Sequence, residues 1–318
     1  MEYTTNLPEQ ASIAITIGNF DGIHKGHQLL LHELQRTAQA LDCIPVVLTF
    51  LPHTLMVVRP DIYIRYLTTL EEKLELVREY GGITNWIVVR FTPAVAAMSA
   101  EDFLDSLRAH FTIKALVVGE NFSLGHNRQG NISFLQNYGA EHHIQVQAIS
   151  LQETKNARIS STRIRNLVQE GQISEANELL GHPVIFSGIV RQGDKRGRLL
   201  GFPTANLLPD QHRLLPADGV YAVRAHVPEG FESDSPITST VYNGVANIGI
   251  RPTFNQQERL VEVHLLDASV DLYDKLISVE FIARLRGEQR FSGIEALKAQ
   301  IAADAEQARQ ILHAKIGG

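Results

Sequence analysis

The strongest constraint on this chain is a change of period near its start. Ile13, Ile15 and Ile17 alternate with Ala14 and Thr16, the two-residue period of a strand. Leu30, Leu31, Leu34, Ala38 and Leu41 then recur at helical spacing. Between them lies Gly18-Asn-Phe-Asp-Gly-Ile-His-Lys-Gly-His27, a glycine-bearing strand-to-helix turn. The alternation continues downstream. Residues 45–50 read as an apolar strand of the kind buried on both faces of a parallel sheet. Residues 69–80 read as a helix closed by Gly81-Gly82, with Leu70, Lys73, Leu74 and Val77 at helical spacing. Ser99 with Asp102 three residues on marks another helix start, and residues 86–91, 115–118 and 144–149 read as strands. Strands alternating with helices through short turns predict a Rossmann-like α/β domain, a parallel doubly wound sheet with its ligand at the carboxyl ends of the strands.

The pattern changes once more. Gly171 and Gly181 end two short helices, and past Gly181-His-Pro183 the helical period gives way to alternation. Residues 184–190, 219–226, 238–242, 260–266 and 277–285 read as strands separated by glycine, proline and asparagine turns, which predicts an antiparallel β-barrel. A long helix over 294–316 follows, with Leu297, Ile301, Ala305, Ala308 and Leu312 on one face. A length of 318 residues suits two such domains, and the change of period divides them as 1–182 and 183–318.

Composition excludes several classes. A formal net charge of −6 offers no electrostatic footprint for nucleic acid, so an anionic ligand must be held by local groups. Cys43 is the only cysteine, which rules out an intramolecular disulfide and a thiolate zinc site. No segment reaches membrane-spanning length, and residues 1–11 lack the basic flank and apolar run of a leader. The expectation is a cytoplasmic protein with no nucleic-acid or membrane partner and an oligomeric state left open.

Several stretches carry chemistry. His24 and His27, at i and i+3 on a helix start, share a face beside the free N–H groups and positive dipole end that attract phosphate, and Gly26 leaves room for a nucleotide. Two histidines alone would equally make a surface pair or half of a metal site. Residues 119–130, polar and glycine-rich directly after a strand, form a second candidate ligand loop, and Ile159-Ser-Ser-Thr-Arg-Ile-Arg165 opens a helix with capping hydroxyls and two arginines near its N–H groups. In Leu200-Gly-Phe-Pro-Thr-Ala-Asn-Leu207 the side chains of Thr204 and Asn206 point the same way if the segment is extended. Their two neutral oxygens suit Mg²⁺, although Pro-Thr-Ala-Asn by itself is also an ordinary turn. The basic, glycine-bearing stretch Gly193-Asp-Lys-Arg-Gly-Arg198 just before it suits phosphates. Glu262, judged by spacing alone, is an acid on the solvent face of a strand.

His24-Lys-Gly-His27 after a strand, with Ser161-Thr-Arg163 at a later helix start, resembles the nucleotidyltransferase superfamily. Together with Val118-Gly-Glu-Asn-Phe122, Asn247-Ile-Gly-Ile-Arg-Pro-Thr253 and Val261-Glu-Val-His-Leu-Leu-Asp267, these motifs resemble bacterial bifunctional riboflavin kinase/FAD synthetase over nearly the entire chain. The resemblance implies two sites fed by ATP. In the first, the phosphate of FMN attacks the α-phosphorus of ATP to give FAD and pyrophosphate. His24 and His27 bind the phosphates and stabilise the transition state, and Ser161, Thr162 and Arg163 hold the polyphosphate. Gly18, Asn19, Phe20, Asp21, Gly26 and Asn121 complete that nucleotide site. In the second, riboflavin is phosphorylated to FMN. Glu262 is the general base, Thr204 and Asn206 hold Mg²⁺, and Gly193, Lys195, Gly201 and Pro203 bind nucleotide. Two rival readings are an adenylyltransferase whose barrel is not catalytic and a flavin-binding regulator without turnover. One departure from the family pattern is local: Pro52-His53 is followed by Thr54 where the family often has a second proline.

Overall fold

The computed structural model describes residues 1–150, 153–154, 157–192, 201–229, 239–252, 257–268 and 270–314. They form two compact units, Met1–Ser161 and Thr162–Gly318. In the first, β1 (Tyr3–Thr5), β2 (Ser12–Ile17), β3 (Ile44–Leu51), β4 (Asn85–Arg90), β5 (Thr112–Gly119) and β6 (Gln145–Ile149) make one sheet in the order β1-β4-β3-β2-β5-β6. Every pairing is parallel except β1 with β4. The expected five-stranded parallel sheet is therefore present, with one antiparallel edge strand added. Tyr3-Thr4-Thr5 is too short for a two-residue period to show, and it joins by backbone pairing to Val89, Val88 and Ile87.

Helices α1 (Lys25–Ala40), α2 (Thr54–Val58), α3 (Leu70–Gly81), α4 (Pro93–Ala96), α5 (Ala100–Arg108) and α6 (Ile132–His142) connect the strands. Ile13, Ile15 and Ile17 pack with Phe103, Leu104 and Leu107 of α5 and with Leu135 and Tyr138 of α6. The alternate residues Ala14 and Thr16 are buried as well, so both faces of the sheet are covered, and α1 contacts β2, β3 and β5 while running beside α3. Gly81 permits that last approach, since a Cβ there would lie 2.9 Å from Leu31 Cβ. Thr69 and Glu72 cap α3 reciprocally, and Gly82, at φ 64°, ends it. From β2 the chain moves outward through β3 to β4, then returns to β5 on the other side of β2. The strand order thus reverses between β2 and β5, the place where open α/β sheets bind ligands. Residues 18–27 and 119–130 follow those two strands.

A short hairpin, β7 (Glu153–Thr154) with β8 (Ala157–Arg158), leads to α7 (Ser161–Glu170) and α8 (Ile173–Leu180). The second unit is a closed antiparallel barrel of β9 (Val184–Arg191), β10 (Ala205–Leu207), β11 (Gly219–Pro228), β12 (Ser239–Pro252), β13 (Gln257–Leu265) and β14 (Leu276–Arg286), in the order β10-β13-β12-β11-β14-β9. The sequence reading has five of these strands. It lacks β10, whose three residues sit inside the stretch singled out for metal chemistry, yet β10 bridges β9 and β13 and so closes the barrel. β12 runs past the expected 238–242, of which residue 238 lies outside the described residues. Its Gly244 is a packing residue within the strand, since a Cβ there would lie 2.9 Å from His264 O.

Helix α9 (Ile294–Ala314) lays Ala305, Ala308 and Leu312 on Ala222, Leu266 and Ile282 of the barrel wall, while residues 315–316 of the expected helix lie outside the described residues. α8 also packs on the barrel. Asn177 donates through Nδ2 to Phe281 O (2.9 Å) and accepts at Oδ1 from Val184 N (2.8 Å). Contact grouping consequently places α7 and α8 with the barrel, whereas the change of period that marks 182/183 falls after them.

Candidate active sites

The first site is the turn after β2. Gly18 N donates to Leu48 O (3.0 Å), and the chain then bends through left-handed conformations at Phe20 (φ 47°), Gly22 (φ 85°) and Ile23 (φ 37°). Such backbone is unfavourable for Phe and Ile and has to be held from outside. Asp21 does this. Its buried carboxylate accepts from Leu67 N (3.0 Å), Thr68 N (3.0 Å) and Thr68 Oγ1 (3.2 Å), and Thr68 Oγ1 in turn accepts from Gly22 N (3.2 Å). Ser161 Oγ closes the loop by donating to Asp21 O (2.9 Å). The structure thus gives Asp21 and Ser161 a scaffold role within the turn.

His24 is the N-cap of α1. Its Nδ1 accepts from His27 N (3.3 Å), which leaves the proton of the neutral ring on Nε2. The two imidazoles stack with centroids 3.7 Å apart and 14° between planes, and the edge of Phe20 supports His27 at 5.2 Å. His27 Nδ1 is buried without a hydrogen-bond partner among the described residues. Burial first, then the neighbouring His24 and Lys73, hold its pKa well below 6.5. The stacked pair therefore presents polar ring edges at the positive end of a helix, which suits an incoming phosphate.

Lys73 is the residue that sequence reasoning names without using. It occupies the apolar stripe of α3, and that misplaced charge is the signal that could have found it. Its Nζ donates to Thr49 Oγ1 (3.1 Å), whose own proton goes to Asn19 O (3.2 Å), so α3 is tied through β3 to the phosphate turn. Burial lowers its pKa to about 8, against the opposing effect of Asp21. Asn19 is also engaged: its Nδ2 donates to Thr54 Oγ1 (2.9 Å), and its Oδ1 accepts from Thr54 N (3.2 Å). A proline at position 54 could make neither bond. Gly26 is buried in the first turn of α1, and Gly18 has no room for a side chain, since a Cβ would meet the Phe20 ring at 3.1 Å. Asn121 lines a hollow of about 360 Å³ after β5, with Phe122, Ser123 and Arg128. Thr162 and Arg163 lie in the first turn of α7, in the second compact unit.

The second site is a row of side chains across the barrel wall. Asn206 on β10 pairs in register with Glu262 on β13, Glu262 with Asn247 on β12, Asn247 with Val220 on β11, and Val220 with Arg286 on β14. Directly paired residues point to the same side of a sheet, so one face carries all five. Glu262 thus stands between two asparagines, and Asn247 Nδ2 donates to its Oε2 at 3.4 Å. The Oδ1 of Asn206 is buried without a hydrogen-bond partner among the described residues. Two residues further along β13, His264 shares this face. Its Nδ1 donates to Pro203 O (2.8 Å), the carbonyl just before Thr204, and its ring meets the Phe202 edge at 5.5 Å. Gly201, at φ 89°, makes the turn that delivers this segment.

Thr204, Asn247, Glu262, His264 and Arg286 line a cavity of about 660 Å³ that runs between the barrel wall and α9. Its far side is built on a buried ion pair: Asp304 of α9 accepts from Arg286 Nε (3.0 Å) and Nη2 (2.8 Å), and Gln300 Nε2 adds a bond at 2.9 Å. Arg286 is in part a structural residue, as is Tyr221, which is fully buried and whose hydroxyl donates to Ala217 O (2.5 Å). Gly193 and Lys195 lie outside the described residues. The structure brings Thr204, Asn206 and Glu262 together on one wall, and His24 and His27 together on one helix start.

Comparison with known proteins covers nearly all of the chain. The family described as FAD synthetase matches residues 6–163, and the family described as riboflavin kinase matches residues 180–312. The bifunctional riboflavin kinase/FMN adenylyltransferase of Escherichia coli (strain K12) is 39% identical over 302 residues, which are 95% of this chain and 93% of the relative. The enzyme of the same description from Bacillus subtilis (strain 168) is 35% identical, with 94% and 92% covered. A crystal structure described as a macrolide-efflux protein from Streptococcus pneumoniae superposes with a TM-score of 0.82 at 29% identity, covering 96% of this chain and 95% of that one. Among the described residues here, no helix is long and apolar enough to cross a membrane.

Proposed function

The chain belongs to the bifunctional riboflavin kinase/FMN adenylyltransferase family, and on that premise we propose that it makes FMN from riboflavin and FAD from FMN, using ATP at two separate sites. The observation that carries the kinase half is the in-register row Asn206–Glu262–Asn247, of which Glu262 and Asn247 line the cavity beside α9. The 5′-hydroxyl of riboflavin's ribityl chain is a neutral alcohol and must lose its proton to attack the γ-phosphorus of ATP. Glu262, supported by Asn247, receives that proton. The donor set fits Mg²⁺: Asn206 Oδ1 is a buried oxygen without a partner among the described residues, Thr204 lines the cavity with Glu262, and Mg²⁺ takes few protein oxygens and keeps its remaining positions for water and phosphate. When bound there it would neutralise charge on the transferring phosphates. Gly201 and Pro203 shape the segment that presents Thr204, and Gly193 and Lys195 are assigned to the nucleotide on resemblance alone.

The adenylyltransferase half needs no base, because the phosphate of FMN is already ionised. Catalysis rests on positioning and on charge stabilisation. His24 and His27 donate to the phosphates at the start of α1. Gly18, Phe20 and Gly26 let the nucleotide approach the turn, Asn19 and Asp21 hold its shape, and Asn121 lies at the adjacent strand end. Ser161 opens α7, and Thr162 and Arg163 are assigned to the polyphosphate on resemblance alone. In this reading residues 1–182 serve adenylyl transfer and residues 183–318 serve phosphorylation, and a chain that consumes ATP twice is placed in the cytoplasm. Product analysis with riboflavin, ATP and Mg²⁺ tests the proposal: FMN should rise first and FAD follow. A protein that binds flavin without turnover would leave riboflavin unchanged.

A further inference from the structure

A buried ammonium beside the histidine pair has no part in the reaction as so far described. Lys73 is 8% exposed, and its Nζ has one hydrogen-bond acceptor among the described residues, Thr49 Oγ1 at 3.1 Å. An ammonium carries three donors, and leaving them without acceptors away from water is costly. Asp21 faces it from the turn, but the Asp21 carboxylate already accepts from two backbone N–H groups and the Thr68 hydroxyl. His27 faces it from α1, stacked on His24, and is held well below its ordinary pKa partly by the charge of Lys73. His27 is thus neutral, and the buried positive charge packed against it is the lysine.

We infer that Lys73 supplies a buried positive charge to the adenylyl-transfer site, with one N–H held by Thr49 and the others turned to phosphate oxygens of ATP. The inference rests on the adenylyltransferase reading above and adds a residue to it. A point charge that is buried is screened little by water, so it stabilises charge developing on a leaving pyrophosphate more than an exposed lysine could. The link from Thr49 to Asn19 O also places the ammonium relative to the turn, and the close approach of α3 to α1 at Gly81 fixes the helix that carries it.

The test is steady-state FMN adenylylation by full-length Lys73→Met and Lys73→Arg, with unfolding followed by the fluorescence of Trp86 in the first unit as the control for folding and riboflavin phosphorylation as the control for the second site. Lys73→Met should lose about 10²–10³-fold in kcat/KM for ATP, the usual worth of one pre-organised donor, and keep riboflavin phosphorylation. A merely structural lysine would not set a pH profile. The free-enzyme ammonium has a pKa of about 8, so wild-type kcat/KM for ATP should fall as pH rises through that value, while Lys73→Arg, which stays charged, should lose that alkaline fall. Wild-type adenylylation by Lys73→Met, or an unchanged alkaline fall in Lys73→Arg, overturns the inference. Absence of adenylylation in the wild-type chain would instead remove the reading on which it rests. Should Lys73→Met fail to fold, the Lys73→Arg profile decides.

Discussion

Asn206 and Glu262 are direct cross-strand partners, and the only oxygen of that pair left buried without a hydrogen bond among the described residues is Asn206 Oδ1. A carboxylate beside an unsatisfied neutral oxygen, on the wall of a cavity, is a poor arrangement for stability and a good one for a reaction that needs a proton acceptor next to a cation. Replacing Glu262 with Ala should therefore lower riboflavin phosphorylation by about 10²–10⁴-fold, the range for loss of a general base, while added FMN is still adenylylated. Steady-state assays of the two half-reactions check this, and equal loss of both would dissolve the two-site assignment.

His264 acts on the same site through Pro203. His264→Phe keeps a ring against Phe202 but removes the N–H that holds the carbonyl before Thr204. A lost hydrogen bond of about 1 kcal/mol corresponds to a rise of about fivefold in the Mg²⁺ concentration for half-maximal phosphorylation. Magnesium titration reads this, and an unchanged midpoint would show that Thr204 is placed by other contacts.

Arg286 and Asp304 join β14 to α9 with Asp304 3% exposed. Removing one partner leaves a buried charge, so Asp304→Ala should destabilise the barrel unit by about 3–5 kcal/mol. Denaturant titration followed by a probe in residues 183–318 measures it, and a loss below 1 kcal/mol would mean that water reaches Arg286.

The Asn19–Thr54 pair is a device of this chain. Asn19→Ala and Thr54→Pro each remove both hydrogen bonds, so the double variant should cost little more than either single one, with a coupling of about 1–3 kcal/mol. Additive losses in a double-mutant cycle would show the two residues to be independent.

His27 links the first site to pH. Its folded pKa lies well below 6.5, so below that pH the unfolded chain takes up a proton that the folded chain refuses, and stability falls as pH falls. The slope from one such group reaches at most about 1.4 kcal/mol per pH unit. His27→Gln should flatten the decline between pH 6.5 and 5 in chemical denaturation; an identical slope would mean that His27 titrates normally in the fold.

Much of this was legible in sequence because it is periodic. The parallel strands, the helix starts at Thr69 and Ser99 and the barrel strands longer than five residues all carry their period openly. What was not legible lies in short or context-bound elements. β1 and β10 have three residues each and are made by pairing with strands distant in the chain, and α6 carries a glycine, Gly139, within its span. The same holds for the sites. His24, His27 and Glu262 could be named from motifs, but Lys73 becomes a site residue only when α3 is laid beside α1. The scaffold roles of Asp21 and Asn19 depend on partners some 35 to 47 residues away.

The central claim, two separate reactions on one chain, is tested most directly by following products from riboflavin, ATP and Mg²⁺ in parallel with wild type, Glu262→Ala and His27→Ala. The expected result is FMN then FAD from wild type, neither in quantity from Glu262→Ala unless FMN is supplied, and FMN accumulating without FAD from His27→Ala. Normal FAD formation by His27→Ala, or loss of FMN adenylylation in Glu262→Ala, would contradict it.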